Sequence, residues 1–409
     1  MITSNSPDPL RKVGAVVLGL SPTGLHVLRE LGAAGIPLVG VSNSMEAGRF
    51  SKYLAKTATI LAESGNARLC DDLLRMADSS DRRWVLLPTS DSYIEFVVQY
   101  CEILARVFRF QASYTTEFYQ AIVDKRAFAD LCRTHSIEGP RYWVRSSGEL
   151  EALIGEVEFP ILLKPALIHV TRSKMRGRKV LVVSNPKEYR SAVSEARGFG
   201  GQWLVQEVIP GPESEITLFA AYFDKRQDAH QAFTARKLRQ YPPGFGSASL
   251  VLSESCVETK EISINLFRAL KYEGIASAEF KRDPRDGRLK MIEINPRPSL
   301  WFAAAHHAGK RISLACFCDL VGMGAPEEEG QAENVLWRYL LKDMYSAAFY
   351  RTRGRGFVLD RPDVAVGVAG GKIRRVGPIF EAEDWRPVVG EGVRYASEGL
   401  SRIFRKRKK

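Results

Sequence analysis

The 409-residue sequence contains no apolar run that approaches the roughly 20 residues required by a membrane-spanning helix. Its first residues, MITSNSPDPLRK, lack the apolar core of a secretory signal peptide. Its six cysteines form no CxxC pair and no spacing with histidine that suits a zinc site, which favours reduced thiols. We therefore expect a cytoplasmic protein that has no structural metal.

Several common catalytic and nucleotide-binding signatures are also missing. No GxGxxG follows the first predicted strand, and no GxxxxGK[ST] occurs anywhere in the chain. No convincing Ser-His-Asp or Cys-His arrangement for a nucleophilic side chain is present. These absences argue against a dinucleotide site of the common type, against a P-loop and against covalent catalysis by the protein.

The excess of positive charge is concentrated in two short segments. Lys and Arg number 59 against 47 Asp and Glu, which gives a net charge of +12. The segment TRSKMRGRK at 171–179 holds five cations, and RIFRKRKK at 402–409 holds six. Because the charge is local, and neither a basic platform with interleaved aromatics nor a helix-turn-helix signature occurs, we expect no nucleic-acid partner.

The C-terminal segment favours contact with a membrane surface. Val393, Ala396, Leu400 and Phe404 are spaced along one side of a helix that ends in the six cations. This pattern predicts peripheral contact with the anionic inner face of a membrane, with a disordered solubilising tail as the alternative. No sequence feature specifies an oligomeric state.

The N-terminal part of the chain reads as alternating strands and helices. VGAVVL at 13–18, a helix ending near Gly35 and the strand IPLVGVSN predict a β-α-β unit of a parallel sheet. RRWVLLPTSDSYIEF repeats the pattern and places Asp91 at the carboxyl end of a strand, where such sheets bind ligands. The alternative role for Asp91 is an N-cap of the helix that begins near Tyr93.

A β-hairpin at 276–295 carries the strongest chemical signal. Its turn, DPRDGR, centres on Asp286, so Glu279 and Glu293 are predicted to lie nearly opposite each other. Glu293, Asn295 and Arg297 alternate with apolar residues and should share a face. Two carboxylates and an amide oxygen suit Mg²⁺ bound together with substrate phosphates, and Arg297 would neutralise phosphate charge. The alternative is a solvent-facing strand whose acids pair with Lys281, Lys290 and Arg288.

A lysine inside an apolar strand supports the phosphate hypothesis. Lys164 lies within ILLKPA, where a buried ammonium needs an anionic partner, and a bound phosphate supplies one. The basic, Gly-containing loop at 171–179 follows it and suits a flap that closes over a triphosphate. A solvated basic turn is the alternative for this loop.

Five segments in order resemble the ATP-grasp superfamily of carboxylate–amine ligases. They are Lys125 in DKRAF, Lys164 before Pro165, the basic loop, QEVIPGPESE and the acidic hairpin that ends in EINPRP. The resemblance covers residues 110–310 and implies an α/β chain: a Rossmann-like N-terminal domain (1–115), an ATP-grasp small lobe with the phosphate flap (116–200), a large lobe with the hairpin (201–325) and a C-terminal extension (326–409).

The resemblance also implies how ATP binds between the two lobes. Lys125, Lys164 and Arg176 of the flap would contact the phosphates. Glu207 would contact the adenine amino group, and the backbone at Val208 and Ile209 would read the ring. Glu215 resembles the acceptor of the ribose hydroxyls, with Glu213 as a competitor.

Metal and acceptor roles follow from the same resemblance. Glu279, Glu293 and Asn295 correspond to the ligands of Mg²⁺, with Mn²⁺ as an alternative ion, and Glu293 would bridge two ions. The stretch FTARKLRQYPPGFGSAS resembles D-aspartate ligases and the lysine-joining enzyme of pyrrolysine synthesis, which would place Arg236 or Lys237 at the transferring phosphoryl group. After EINPR many relatives have small residues, whereas this chain has Pro298, Ser299, Leu300 and Trp301.

The implied reaction joins a small-molecule carboxylate to an amine through an acyl phosphate and releases ADP and phosphate. An amino acid or a cell-envelope precursor is the expected substrate. The alternatives are a small-molecule kinase and a non-catalytic nucleotide-binding protein. His306 and His307 are candidates for a base that activates the amine, or for a structural pair.

Overall fold

The computed structural model describes residues 12–54, 59–61, 65–115, 119, 125–165, 180–352, 357–365 and 372–395. Within these ranges the strands form three sheets of five, four and seven strands. The basic loop at 171–179 and the C-terminal residues 396–409 lie outside the described residues.

The first sheet is parallel, with the strand order β3-β2-β1-β4-β5. Its strands are β1 (Val13–Leu18), β2 (Leu38–Ser42), β3 (Thr59–Leu61), β4 (Arg83–Pro88) and β5 (Phe108–Arg109). Every residue of β1 is buried, and alternate residues enter two separate apolar cores. A central parallel strand is covered on both faces, which explains its continuous apolar sequence.

Four helices connect these strands. They are α1 (Pro22–Ala33), α2 (Asn66–Asp78), α3 (Asp91–Gln99) and α4 (Cys101–Leu104). Helix α1 starts close to the end of β1, since a Cβ at Gly24 would lie 1.9 Å from the Gly19 carbonyl oxygen. Only glycine allows this approach.

The second sheet is antiparallel, with the order β6-β9-β7-β8. It contains β6 (Tyr142–Ser146), β7 (Ile161–Pro165), β8 (Leu181–Val183) and β9 (Gln202–Glu207), with helices α5 (Lys125–Thr134) and α6 (Pro186–Phe199). Strand β9 pairs with β6 and β7, so it belongs to this sheet although the predicted lobe boundary falls before it, at residue 200. Sequence periodicity identifies the strand but not its partners.

The third sheet has the order β14-β13-β10-β11-β12-β15-β16. Its strands are β10 (Ile216–Phe223), β11 (Ala229–Tyr241), β12 (Ser247–Ser253), β13 (Gly274–Arg282), β14 (Leu289–Asn295), β15 (Val335–Arg338) and β16 (Arg374–Val376). The last two strands lie within residues 326–409, predicted as a separate extension, and they continue this sheet beside β12. Both are too short to give a clear strand signal in the sequence.

Within the described residues, five further α-helices lie in the part of the chain that forms the third sheet. They are α7 (Val257–Ala269), α8 (Phe302–His307), α9 (Ile312–Leu320), α10 (Leu340–Thr352) and α11 over residues 386–395. One apolar core joins β1 and α1 to β10, β11, α8 and α9, so the first and third sheets share it. All six cysteines are free thiols. Among the described helices, none has the length and apolar character needed to cross a bilayer.

Candidate active site

The hairpin formed by β13 and β14 brings the predicted acids together. Glu279 lies opposite Glu293 and Ser277 lies opposite Asn295, as the turn chemistry predicted. A register shift after Glu279 bends the ladder, which is a common device for aiming a side chain. The predicted geometry of the hairpin is confirmed.

A buried lysine from another strand neutralises one of these acids. Lys237 of β11 is 1% exposed, and its Nζ donates a hydrogen bond to Glu279 Oε2. Burial raises the pKa of Glu279, Lys237 opposes this shift, and the nearby Glu293 carboxylate adds to it. Lys237 thus supplies a cation where the two carboxylates meet.

Glu293 is the free carboxylate of the pair. It is exposed, and it makes no hydrogen bond or ion pair with any residue that the structure describes. No cluster of three or more His, Cys, Asp or Glu side chains in the described ranges is arranged to hold a metal ion alone. A divalent ion here would therefore need further oxygen ligands, such as those of a phosphate.

The alternative reading, in which the basic residues of the hairpin pair with its acids, does not describe this site. Lys290 and Arg288 bind Glu138, and Lys290 also binds Asp286 of the hairpin turn at 2.7 Å, but neither residue contacts Glu279 or Glu293. Lys281 is buried, and its Nζ donates to the carbonyl oxygens of Ile209 and Gly211, at 2.8 Å each. The acids at 279 and 293 thus remain on the face that Lys237 shares.

Lys164 has no carboxylate partner among the described residues. Its Nζ donates to Gln206 Oε1 at 2.7 Å, and burial lowers its pKa to about 8. The Glu293 carboxylate, on the other sheet, opposes this shift through its charge. A cation held by one neutral amide is ready to accept an anionic ligand.

Glu207, the predicted contact of the adenine amino group, is the last residue of β9, the strand that pairs with the strand of Lys164. Both oxygens of Glu207 contact arginines, Arg141 at 2.9 Å and Arg285, so an adenine amino group would share this carboxylate with two cations. Alternation along β9 turns Gln206 toward Lys164 instead. Sequence reasoning missed Gln206, and only the pairing of β9 with β7 could have identified it.

The backbone at Val208 and Ile209 retains two free groups. The Val208 amide donates to the Pro160 carbonyl oxygen at 3.2 Å, and the Ile209 carbonyl accepts from Lys281. Within the described residues, the Val208 carbonyl and the Ile209 amide have no hydrogen-bond partner. An adjacent acceptor and donor of this kind match the edge of a purine ring.

The two acids proposed for the ribose occupy different environments. Glu213 is fully buried and accepts from the backbone amides of Gln240 at 3.0 Å and Gly244 at 2.8 Å. Burial raises its pKa. Glu215 is exposed. The structure thus assigns Glu213 to anchoring the loop after β11 and leaves Glu215 as the accessible candidate.

Arg236 and Lys237 point to opposite faces of β11, as neighbours on a strand must. Arg236 Nε contacts Glu254 at 3.0 Å, away from the acid pair. Lys237 is therefore the residue of this pair that the structure brings to Glu279.

Arg297 connects the hairpin to the first sheet. Its guanidinium contacts both carboxylate oxygens of Asp91, at 2.7 and 3.1 Å. Asp91 is the first residue of α3, and the cap position is Ser90, so Asp91 is not an N-cap. Neither the sequence nor its motifs connect residues 206 positions apart, and this contact was not predicted.

The two histidines contact other elements. His306 Nδ1 lies 3.7 Å from Glu30 of α1, and burial lowers the pKa of His306 to about 4. His307 Nε2 lies 3.6 Å from Glu381. These contacts favour the structural pair over a base at the hairpin.

The side chains of two predicted phosphate ligands, Lys125 and Arg176, are not among those that the structure describes. Lys125 is the first residue of α5, and its side chain is outside the described residues. Arg176 lies in the loop at 171–179, which is also outside them.

Comparison with known proteins finds a curated sequence relative and several solved structures of similar fold. No family model matches the chain. It is 24% identical over 235 residues to the D-aspartate ligase of Enterococcus faecium (strain Aus0004), covering 54% of this chain and 55% of that protein. The chain therefore spans about half the length of this curated relative.

Solved structures cover more of the chain. The biotin carboxylase domain of the Hydrogenobacter thermophilus 2-oxoglutarate carboxylase, in complex with MgADP, ADP and bicarbonate, matches with a TM-score of 0.61 at 15% identity, over 78% of this chain and 73% of that one. The L-amino acid ligase of Bacillus licheniformis matches with a TM-score of 0.57 at 14% identity, over 76% and 74%. The chain has the ATP-grasp fold that its motifs predicted.

Proposed function

We propose that this protein is an ATP-dependent carboxylate–amine ligase that works through an acyl phosphate and releases ADP and phosphate. The observation that carries the proposal is the division of charge at the site. Glu279 is neutralised by Lys237, whereas Glu293 and Lys164 lack charged partners within ion-pair distance among the described residues. One unpaired anion and one unpaired cation suit a metal–nucleotide complex.

The residues present fit a divalent metal. Glu293 is exposed and free, Glu279 lies opposite it, and Asn295 follows on the same face. We propose that these three residues hold Mg²⁺, with Mn²⁺ as an alternative, together with phosphate oxygens. When bound, the ion supplies charge neutralisation for phosphoryl transfer.

The nucleotide would lie between the second and third sheets. Lys164, with Lys125 and Arg176 of the flap, would hold the phosphates. The free carbonyl of Val208 and amide of Ile209 would read adenine, and Glu215 would accept from the ribose hydroxyls. Gln206 would position Lys164 for the phosphates. Glu207 would contact the adenine amino group while sharing its oxygens with Arg141 and Arg285.

The reaction requires the attacking carboxylate to approach a phosphate of the same charge. Lys164 and Arg297, which both interact with Glu293 through charge, would lower this repulsion by placing cations near the phosphate. The carboxylate oxygen attacks the γ-phosphorus and ADP leaves. The amine nitrogen then attacks the acyl carbon, phosphate leaves, and an amide remains. The protein donates no nucleophile.

The names of the relatives suggest the substrates. A D-aspartate ligase and an L-amino acid ligase both take amino acids. We propose an amino acid as one substrate and an amine of a cell-envelope precursor as the second. We further propose a cytoplasmic enzyme with a Rossmann-like N-terminal domain over residues 1–115, whose basic tail contacts the membrane peripherally.

An ADP-release screen tests the proposal. Carboxylates, with D- and L-aspartate among them, are crossed with amines in the presence of ATP and Mg²⁺. We expect release that depends on both substrates, and none from Glu293→Gln. Glu102→Gln, an exposed acid on α4, is the matched control and should remain active.

Three results would contradict the ligase. Phosphate transfer to a hydroxyl without an amine would indicate a kinase. Binding of ATP without ADP release for any substrate pair would indicate a nucleotide-binding protein. Full activity of Glu293→Gln would remove the metal role from this residue.

A further inference from the structure

The last described helix, α11, packs against the protein through its polar side. Asp384, just before it, accepts hydrogen bonds from Arg29 Nε at 3.0 Å and Ser51 Oγ at 2.8 Å. Glu391 accepts from Tyr339 Oη at 2.6 Å. Both acids are buried and face inward, whereas Glu383 is exposed and lies 3.7 Å from Lys52.

A glycine allows α11 to lie close to the body of the protein. A Cβ at Gly390 would be 2.2 Å from Phe50 Cδ2. Gly390 and Glu391 are on the same side as Asp384, and together they fix the orientation of the helix.

The opposite side of α11 is apolar and exposed. Trp385, Val389 and Val393 follow at intervals of four residues and are 55%, 53% and 47% exposed. Val388 adjoins them at 42%, and Phe380 precedes them at 64%. We call these five side chains the outward face. A surface helix ordinarily buries its apolar side, and this helix does the reverse. A contiguous exposed apolar patch marks an interaction site.

The sequence that follows indicates the partner. Leu400 and Phe404 continue the spacing of Val393 at seven and four residues, and the six terminal cations come next. Apolar side chains beside a cluster of cations match the boundary between headgroups and acyl chains of an anionic bilayer. Self-association is disfavoured because each copy of the chain carries the same six terminal cations and a net charge of +12.

We propose that the outward face of α11 inserts into the surface of an anionic membrane. The cations of the tail supply long-range attraction, and Trp385, Val389 and Val393 supply apolar contact. The inference deepens the proposed tail contact and does not depend on the ligase activity. It assigns a membrane role to residues that precede the tail.

Vesicle sedimentation tests the outward face separately from the tail. The full chain is mixed with vesicles of phosphatidylcholine alone, or with 30% phosphatidylglycerol, at low and high salt. We expect the wild type to bind the anionic vesicles strongly at low salt and the phosphatidylcholine vesicles only weakly. The variant W385S/V389S/V393S should bind at least tenfold more weakly while its melting temperature stays unchanged. Val257→Ser, an exposed valine at the start of α7, is the matched control and should bind as the wild type does.

The salt series separates the electrostatic contribution of the tail from the apolar contribution of the outward face. A chain ending at residue 395 should lose the salt-dependent part of the binding and keep a weak, salt-independent part. Equal binding by the triple variant and the wild type would assign membrane contact to the tail alone and overturn the inference. Loss of a wild-type dimer in the triple variant, measured by sedimentation velocity, would also overturn it and assign the face to self-association. The ADP-release assay reports on the ligase in every case.

Discussion

Raising the pH above 8 should weaken nucleotide binding because Lys164 loses its proton. Burial lowers the pKa of Lys164 to about 8, and its Nζ has Gln206 as its hydrogen-bond partner among the described residues. The folded protein therefore holds this group as an ammonium at pH 7 and increasingly as a neutral amine as the pH rises through 8. A neutral amine does not attract a phosphate.

The size of the effect follows from the titration. For a group of pKa about 8, the protonated fraction falls about tenfold between pH 7 and pH 9. If the nucleotide binds the ammonium form, its apparent dissociation constant should rise by about the same factor. At pH 8 binding should also take up roughly half a proton, since phosphate restores the ordinary pKa of the lysine.

Calorimetry with a non-hydrolysable Mg–ATP analogue measures both quantities, in buffers that differ in ionisation enthalpy. Lys164→Arg keeps the charge and removes the titration, so its affinity should be nearly flat from pH 7 to 9. Lys281 is the necessary control because burial lowers its pKa to about 8 as well. Lys281→Arg should retain the pH dependence. If Lys164→Arg retains the pH dependence of nucleotide affinity and Lys281→Arg loses it, the titrating group is Lys281 and not Lys164.

Three further predictions concern residues that hold the site and the C-terminal helix. Glu213→Ala leaves two buried backbone amides without an acceptor and should lower the free energy of unfolding by about 2–4 kcal/mol in urea titrations; no change would contradict the anchoring role. Asp91→Asn should raise the KM for the carboxylate substrate several-fold by releasing Arg297, and it should lower the melting temperature by a few degrees because the Arg297 side chain is only 17% exposed and loses its charged partner; an unchanged KM would exclude this role. Gly390→Ala clashes with Phe50 and should make the C-terminal helix sensitive to limited proteolysis at a cost of about 1–3 kcal/mol; equal protection would refute the close contact.

The hairpin was predictable because local chemistry sets its register. The DPRDGR turn fixes where the chain reverses, and the period of two then determines which side chains meet. Glu279 and Glu293 follow from the turn alone. The same reasoning could not find Lys237 as the partner of Glu279, since β11 reaches β13 only through the intervening strand β10.

Elsewhere, the sequence does not reveal which neighbours the alternating side chains of a strand face. Motif order suggested Glu207 for adenine, but the pairing of β9 with β7 turns Gln206 toward Lys164 and Glu207 toward two arginines. The sheet partner of the C-terminal strand β15 was unpredictable for a related reason. Strand β15 joins the third sheet through its pairing with β12, about eighty residues earlier in the chain, and a strand of four residues carries no pattern that reveals such a partner.

If Glu293 and Lys164 hold the metal and the nucleotide as proposed, their charges should make the two binding steps mutually dependent. Glu293 repels a metal-free triphosphate, and its carboxylate already interacts with the Lys164 ammonium through charge. A metal ion at Glu293 removes that repulsion, and a phosphate at Lys164 completes the ligands of the ion. Glu293→Gln should therefore bind metal-free ATP more tightly than the wild type, by about tenfold or less, and should lose most of the gain from Mg²⁺. Fluorescence titration with a labelled nucleotide, with and without EDTA, gives both affinities. An equal gain from Mg²⁺ in the variant and the wild type would mean that the ion is held elsewhere, and the charge division between Glu293 and Lys164 would then have no role in nucleotide binding.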